Sequence, residues 1–395
     1  MTVYSKSQLV AKPLALFVGL ALWTSGVVYA GQTKSTDSSS PIWSADVIQD
    51  LGPNRTAPFM EDRDRAGVIF LDSRQLVVHE VDLDTSQLSS RRSADVSSPF
   101  RLRVSVLDSS SGRSILAREW GTRVRHSSVL VSWGGILLRT GETLRLLSKD
   151  FVELESMPIP HPNPGEEWEM RVSASRKSVL LNYYKQDWKE RVNFSRFTVL
   201  DGKTFEVRQT WTETPALHNT LYSISDTAMA TDEHLHTPEH IFISPFGKNR
   251  WEPIWQKSER SCAGPAVLTF VTDNSFVYAC KEFSFVSGGQ VLMKQTFDKG
   301  QRPVAGKVSV TEDGKHVAIS LQRVKGGFFD TEQHTSSTRV VVYDLSSMVQ
   351  VLTVNVHPLP KNDYDFALSP DGSKLAVLND QRLSVYSVPV QWARE

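Results

Sequence analysis

Cysteine is nearly absent: Cys262 and Cys280 are the only two in 395 residues. Seventeen residues lie between them, nothing like the Cys-x-x-Cys of redox catalysts. Charge of one sign is also lacking. The chain has 44 basic against 44 acidic residues and no long like-charge run, so no basic face offers nucleic acid a general electrostatic grip. Beyond residue 30 no stretch is apolar enough to cross a membrane. Helical periodicity of any length is missing, which leaves an all-β chain. A Gly-x-Ser-x-Gly elbow, a phosphate-cradling Gly-Lys-Ser/Thr and a dinucleotide fingerprint are absent too. An enzyme built on this sequence would have to assemble its site from scattered loop residues.

What is present begins with an export signal. Lys6 and Lys12 form a weakly basic start, Leu14 to Trp23 a short apolar core, and Val28-Tyr29-Ala30 a small-residue cleavage pattern. Thr24, Ser25 and Gly26 interrupt the apolar run before it reaches membrane-spanning length. Residues 1–30 are therefore expected to be a signal peptide, with a retained anchor as the alternative. Residues 31–41 read as a polar, disordered leader, and residues 42–395 as one domain. The expected location is extracytoplasmic, periplasmic or secreted. In that oxidising setting Cys262 and Cys280 become a candidate disulfide. Counting back from the Asp273-Asn274 turn sets Cys280 opposite about Val267, so a bridge would need residues 261–265 to fold back.

The thirteen residues Phe366-Ala-Leu-Ser-Pro-Asp-Gly-Ser-Lys-Leu-Ala-Val-Leu378 carry the strongest pattern. They read as two β-rich runs joined by a tight turn. Copies lie at Val68–Val78, Val129–Leu138, Val172–Leu181, Val267–Val277 and Val308–Ile319, with a poorer one at Tyr222–Met229. A second signature, strand–turn–strand, alternates with the first. Its markers at 108, 149, 201, 245, 288, 344 and 387 are spaced by 41, 52, 44, 43, 56 and 43 residues. Four-stranded units at such a period point to a propeller.

Ser369-Pro-Asp-Gly372, Glu312-Asp-Gly314 and Val342-Tyr-Asp-Leu345 resemble the blade motifs of WD40, TolB and YVTN-type propellers, of an exported bacterial kind. The resemblance spans about residues 66–388 and departs from standard WD40 repeats in lacking the Trp-Asp dipeptide. It implies a single seven-bladed β-propeller of four-stranded antiparallel blades. The last blade is short of chain for a fourth strand, so residues 42–48 are expected to supply it and close the ring.

Several side chains are candidates for a site. Insertions at Asp84–Pro99, Asn182–Asn193 and Lys325–Arg339 should emerge on one face of such a ring. There Tyr183, Tyr184, Trp188, Phe328 and Phe329, beside lysines, would suit contact with a protein or a carbohydrate. His234 and His236 share one strand face, and with Asp232 or Glu239 could hold a metal. The same residues would equally suit a wet polar hairpin at the rim of the ring. Asp365, Glu169 and His126 lie near the starts of innermost strands. Trp120 and Trp211 read as ring-sealing core aromatics. The functional expectation is a monomeric binding or interaction scaffold that needs no cofactor, with its ligand on the loop-rich face. The alternative is a lactonase- or esterase-like hydrolase with calcium or zinc in the central channel.

Overall fold

The computed structural model describes residues 28–29, 40–47, 66–83, 100–122, 129–140, 143–159, 166–187, 192–213, 223–232, 240–248, 250–256, 267–325, 334–360 and 364–389. These form seven antiparallel blades of four strands. Blade 1 comprises Ala66–Phe70, Gln75–Leu83, Phe100–Asp108 and Ser114–Thr122, and blade 2 Val129–Ser132, Gly135–Thr140, Thr143–Leu147 and Glu153–Pro158. Blade 3 comprises Glu166–Val172, Ser178–Asp187, Val192–Asp201 and Val207–Glu213, and blade 4 Ser223–Ile224, Ala228–Asp232, His240–Pro245 and Glu252–Gln256. Blade 5 comprises Val267–Thr272, Ser275–Ala279, Glu282–Ser287 and Gln290–Thr296, and blade 6 Gln301–Val310, His316–Lys325, His334–Asp344 and Val349–Val356. Blade 7 takes Tyr364–Leu368, Lys374–Asn379 and Arg382–Ser387 from the C-terminal region and Trp43–Asp46 from the N-terminal one. No helix among the described residues is long and apolar enough to cross a membrane.

Local chemistry explains the hairpins. In blade 7 the Ser369 hydroxyl donates to Asp371 Oδ1 at 2.6 Å and accepts the Lys374 N–H at 2.9 Å. Asp371 also accepts from Ser373 N, and Gly372 takes a positive φ of 71° that suits a residue without Cβ. Blade 6 repeats the device with Thr311, Asp313 and Gly314. Turns between third and fourth strands use an aspartate that gathers backbone N–H groups, as Asp108, Asp201 and Asp344 do. At Asp108 the Ser110 and Ser111 hydroxyls hold the carboxyl down at about 2. At Asp201 partial burial pushes upward, but the Thr204 and Lys203 N–H groups and Arg208 outweigh it and leave the carboxyl at about 2.

Packing follows from the alternation of buried side chains. The buried apolar residues fall into seven clusters, one between each pair of neighbouring blades. Between blades 5 and 6 the rings of Phe283 and Tyr343 stack at 4.1 Å. The cluster between blades 3 and 4, around Leu180, Phe197, Val199, Ile224 and Met229, is the smallest. Trp120 packs edge-on against Phe151 and Trp211 stacks on Phe197. Both lie half-buried on outer strands, against the clusters between blades 1 and 2 and between blades 3 and 4, rather than in the core.

Ring closure takes the expected form. Trp43–Asp46 runs antiparallel to Arg382–Ser387, and backbone bonds from Ile42 to Val385 and from Val47 to Gln381 extend the pairing. Val47 is 1% exposed in the cluster between blades 7 and 1. The Trp43 indole donates to Ser109 O at 2.8 Å and covers Gly112, where a Cβ would come within 2.8 Å of the ring. Val28–Tyr29 adds a short parallel strand beside Met293 and Lys294 of blade 5.

One register differs from simple counting. A bulge between Phe270 and Thr272 slides the blade 5 hairpin by one residue, so Ala279, not Cys280, faces Val267. Cys280 is buried at the end of that strand. Cys262 lies outside the described residues.

Candidate functional site

Strand direction alternates within each blade, so first-to-second and third-to-fourth turns share one face, the turn face. The second-to-third connections that carry the long insertions share the other. The innermost strands line a central cavity of about 400 Å³ bounded by residues of blades 1 to 7.

Side chains stitch these strands to one another. Asp365 Oδ2 accepts the Val68 N–H at 3.0 Å, joining blade 7 to blade 1. The Ser309 hydroxyl accepts Leu368 N at 2.9 Å, and Ser223 accepts Phe270 N at 2.9 Å. Neighbouring innermost strands diverge too far for a full ladder, so a short hydroxyl or carboxylate bridges the gap.

Around Asp365 lies the cavity's most polar corner. Lys307 Nζ sits 3.4 Å from Asp365 Oδ1. His79, on the second strand of blade 1, pairs in register with Gly67. A Cβ on Gly67 would lie 2.5 Å from His79 Nε2 and 3.1 Å from Asp365 Oδ2. The missing side chain thus opens a window through which the imidazole reaches the cavity wall. His79 is 6% exposed, and its Nδ1 has no hydrogen-bond partner. Burial drives its pKa down to about 4, against the pull of Asp365 and with the push of Lys307. The ring is therefore neutral at ordinary pH.

At the turn face the side chain of Arg176 reaches across the axis. Arg176 belongs to the first hairpin of blade 3, with a positive φ of 62°. Its guanidinium donates to Phe70 O at 2.7 Å and Leu71 O at 2.9 Å on blade 1. It also meets Glu312 of blade 6 at 3.1 Å. Burial lowers the Arg176 pKa while Glu312 and Asp72 raise it; the side chain stays charged. Three blades are tied by one residue, and the cavity is floored on this side. Close by, Asp226 of blade 4 accepts hydrogen bonds from the hydroxyls of Ser173 and Ser175 at 2.7 Å each. Its own N–H donates to Asp273 of blade 5 at 3.0 Å.

The residues singled out by sequence are distributed differently. Asp365 does line the cavity. Glu169 instead pairs with Arg171 at 3.4 Å, and His126 lies outside the described residues. Tyr183 faces Trp168 across the first two strands of blade 3, with ring centres 5.0 Å apart; Tyr184 is half-buried on the next position. Trp188, Phe328, Phe329, His234, His236 and Glu239 lie outside the described residues. Asp232 ends the second strand of blade 4, opposite Ile241. No group of three His, Cys, Asp or Glu side chains suited to a metal ion occurs among the described residues. Arg176 and His79 were not singled out by sequence. Arg176 reads as ordinary turn chemistry, and the signal for His79 is a glycine at its cross-strand partner.

No protein-family model matches the sequence, and no curated protein matches it. Solved structures do. A chain from the crystal structure of a mitotic checkpoint complex superposes with a TM-score of 0.51 at 13% identity, covering 89% of this chain and 96% of that one. The Neurospora crassa Pan2 WD40 domain gives 0.39 at 8% identity, over 89% of this chain and 96% of that one. TolB from Acinetobacter baumannii gives 0.36 at 11% identity, over 78% and 83%. The blade topology, together with the first of these likenesses, identifies the chain as a seven-bladed β-propeller.

Proposed function

We propose that the protein is an exported, monomeric interaction scaffold whose rigid ring holds a protein or carbohydrate partner on its faces. The observation that carries this reading is Arg176, which ties blades 1, 3 and 6 across the axis. A ring braced in this way keeps its shape and offers variable loops at fixed spacing. The insertion face, with Tyr184, Trp188, Phe328 and Phe329, is the proposed surface for the partner. Lys307 beside Asp365 favours binding over metal-assisted hydrolysis, because an ammonium already occupies the place of a cation at that carboxylate. The export signal at residues 1–30 and a Cys262–Cys280 bond belong to the same proposal.

Cross-linking of the full chain in its source cells, followed by mass spectrometry, tests the scaffold reading. Cross-links to one recurring partner, concentrated on a face of the ring, are expected. Catalytic turnover of esters or lactones that disappears when stoichiometric zinc or calcium is removed would overturn it. The same spectra, taken without reductant, should show the Cys262–Cys280 peptide pair and a mature chain that starts after residue 30.

A further inference from the structure

Six large apolar side chains are conspicuously exposed among the described residues: Ile42, Ile115, Trp133, Val152, Leu154 and Val207. Five of them sit on or beside outer strands. Trp133 alone tops a first hairpin, between Val129–Ser132 and Gly135–Thr140, on the turn face, and it is 60% exposed. Lys177 Nζ stands 5.5 Å from the centre of its ring and Lys203 Nζ 5.8 Å. Both lysines belong to blade 3, and neither has a carboxylate partner among the described residues.

This platform is held from beneath by backbone. Trp133 N donates to Arg176 O at 2.9 Å, Gly134 N to Gly202 O at 2.7 Å and Gly202 N to Lys177 O at 2.7 Å. Gly134 is required by that approach, since a Cβ there would meet Lys203 O at 2.6 Å. Two blades are zipped together so that one indole stands between two cations. Each cation is held weakly by the face of the exposed ring, while both remain without a counter-charge among the described residues.

We infer that Trp133, Lys177 and Lys203 form a docking site for a short acidic segment of a partner protein. Two carboxylates of the segment would pair with the lysines, and one apolar side chain would cover the indole. Charge complementarity decides the class. The turn face of blades 2 and 3 also carries Asp150, Asp201 and Glu206, with Asp201 held by Arg208. A long polyanion would meet these as well as Asp72, Glu312 and Asp371 elsewhere on the face, whereas a short segment laid over the indole pairs with the two lysines that have no carboxylate partner among the described residues. The inference rests on the scaffold reading but places a contact on the face opposite the insertions.

The test uses the full chain and a panel of fluorescein-labelled 12-residue peptides, rich in Glu and Asp around a central Leu or Phe. Matching Lys-rich peptides and a labelled heparin oligosaccharide complete the probes. Fluorescence anisotropy should show acidic peptides binding below ~100 µM. Trp133→Ala should weaken them ~10-fold or more, and Lys177→Glu/Lys203→Glu should transfer the preference to Lys-rich peptides. Both variants should melt like the parent, since these side chains are exposed. Absence of acidic-peptide binding, binding indifferent to all three residues, or heparin binding alone would overturn the inference. A partner whose cross-links map to the turn face of blades 2 and 3 and persist undiminished in a Trp133→Ala/Lys177→Glu/Lys203→Glu chain would overturn it while leaving the scaffold reading intact. Loss of every cross-linked partner from the parent chain would instead remove the scaffold reading.

Discussion

Replacing Arg176 by alanine removes two charged N–H donors from Phe70 O and Leu71 O and an ion pair with Glu312. Hydrogen bonds to a charged group contribute about 1.5–3 kcal/mol each. Glu312 is 39% exposed, which limits the ion pair to under about 1 kcal/mol. Release of the guanidinium from burial offsets part of the loss, leaving an expected destabilisation of about 3 kcal/mol. For a chain of this size that corresponds to a fall in melting temperature of roughly 3–5 °C. Backbone supplies an internal control. Because Arg176 has a φ of 62°, Arg176→Gly should be more stable than Arg176→Ala by up to about 1 kcal/mol, although it removes one more carbon. Scanning calorimetry of the three chains decides the matter. A melting temperature for Arg176→Ala within ~1 °C of the parent would refute the cross-axis tie; a glycine variant weaker than the alanine one would refute the account of the backbone.

His79 titrates at about 4 when folded against 6.5 when free, so the unfolded chain takes up its proton first as pH falls. Its contribution is complete above 6.5 and lost on the way down to 4, at a slope approaching ~1.4 kcal/mol per pH unit; urea titrations should show that slope flattened in His79→Gln. Below about pH 4 the turn carboxylates take over: Asp108 and Asp201, at about 2 when folded against 3.8 when free, stabilise the ring above 3.8 and cease to as pH drops to 2. Acid melts of Asp108→Asn/Asp201→Asn should therefore lose less stability between pH 4 and 2 than the parent. Deleting residues 40–47 uncovers Arg382–Ser387 as a free edge and empties the Trp43 and Val47 positions, which should cost about 5 kcal/mol or more; an unchanged melting temperature would contradict the role of the closing strand.

Much of the fold was legible because its chemistry is local. Ser369, Asp371 and Gly372 make their turn from atoms within five residues, so the motif reads directly as a hairpin. Blade number followed from the spacing of the strand–turn–strand units that alternate with it, and the closing strand from a shortage of chain in blade 7. The site was less legible because its bonds are distant. Arg176 meets carbonyls 105 and 106 residues away, and nothing in Ser175-Arg-Lys separates it from any turn cation. His79 looks like one polar position in an alternating strand until Gly67 is placed opposite it. Trp133-Gly-Gly was readable as a turn, but the two lysines beside it come from another blade. The one-residue slip in blade 5 comes from a bulge at Val271, which alternation alone does not reveal.

The closing strand also sets the order of events in folding. Ser44 and Ser384 meet hydroxyl to hydroxyl across 340 residues of intervening chain. Blade 7 therefore cannot be completed until residues 382–387 have been made. Six blades can form their own hairpins as they appear, while the strand at 43–46 waits for its partner. During that interval Trp43–Asp46 has no edge to pair with, because its partner Arg382–Ser387 is the last strand to be made. A chain organised in this way closes its ring in one late step, after its last strand has been made.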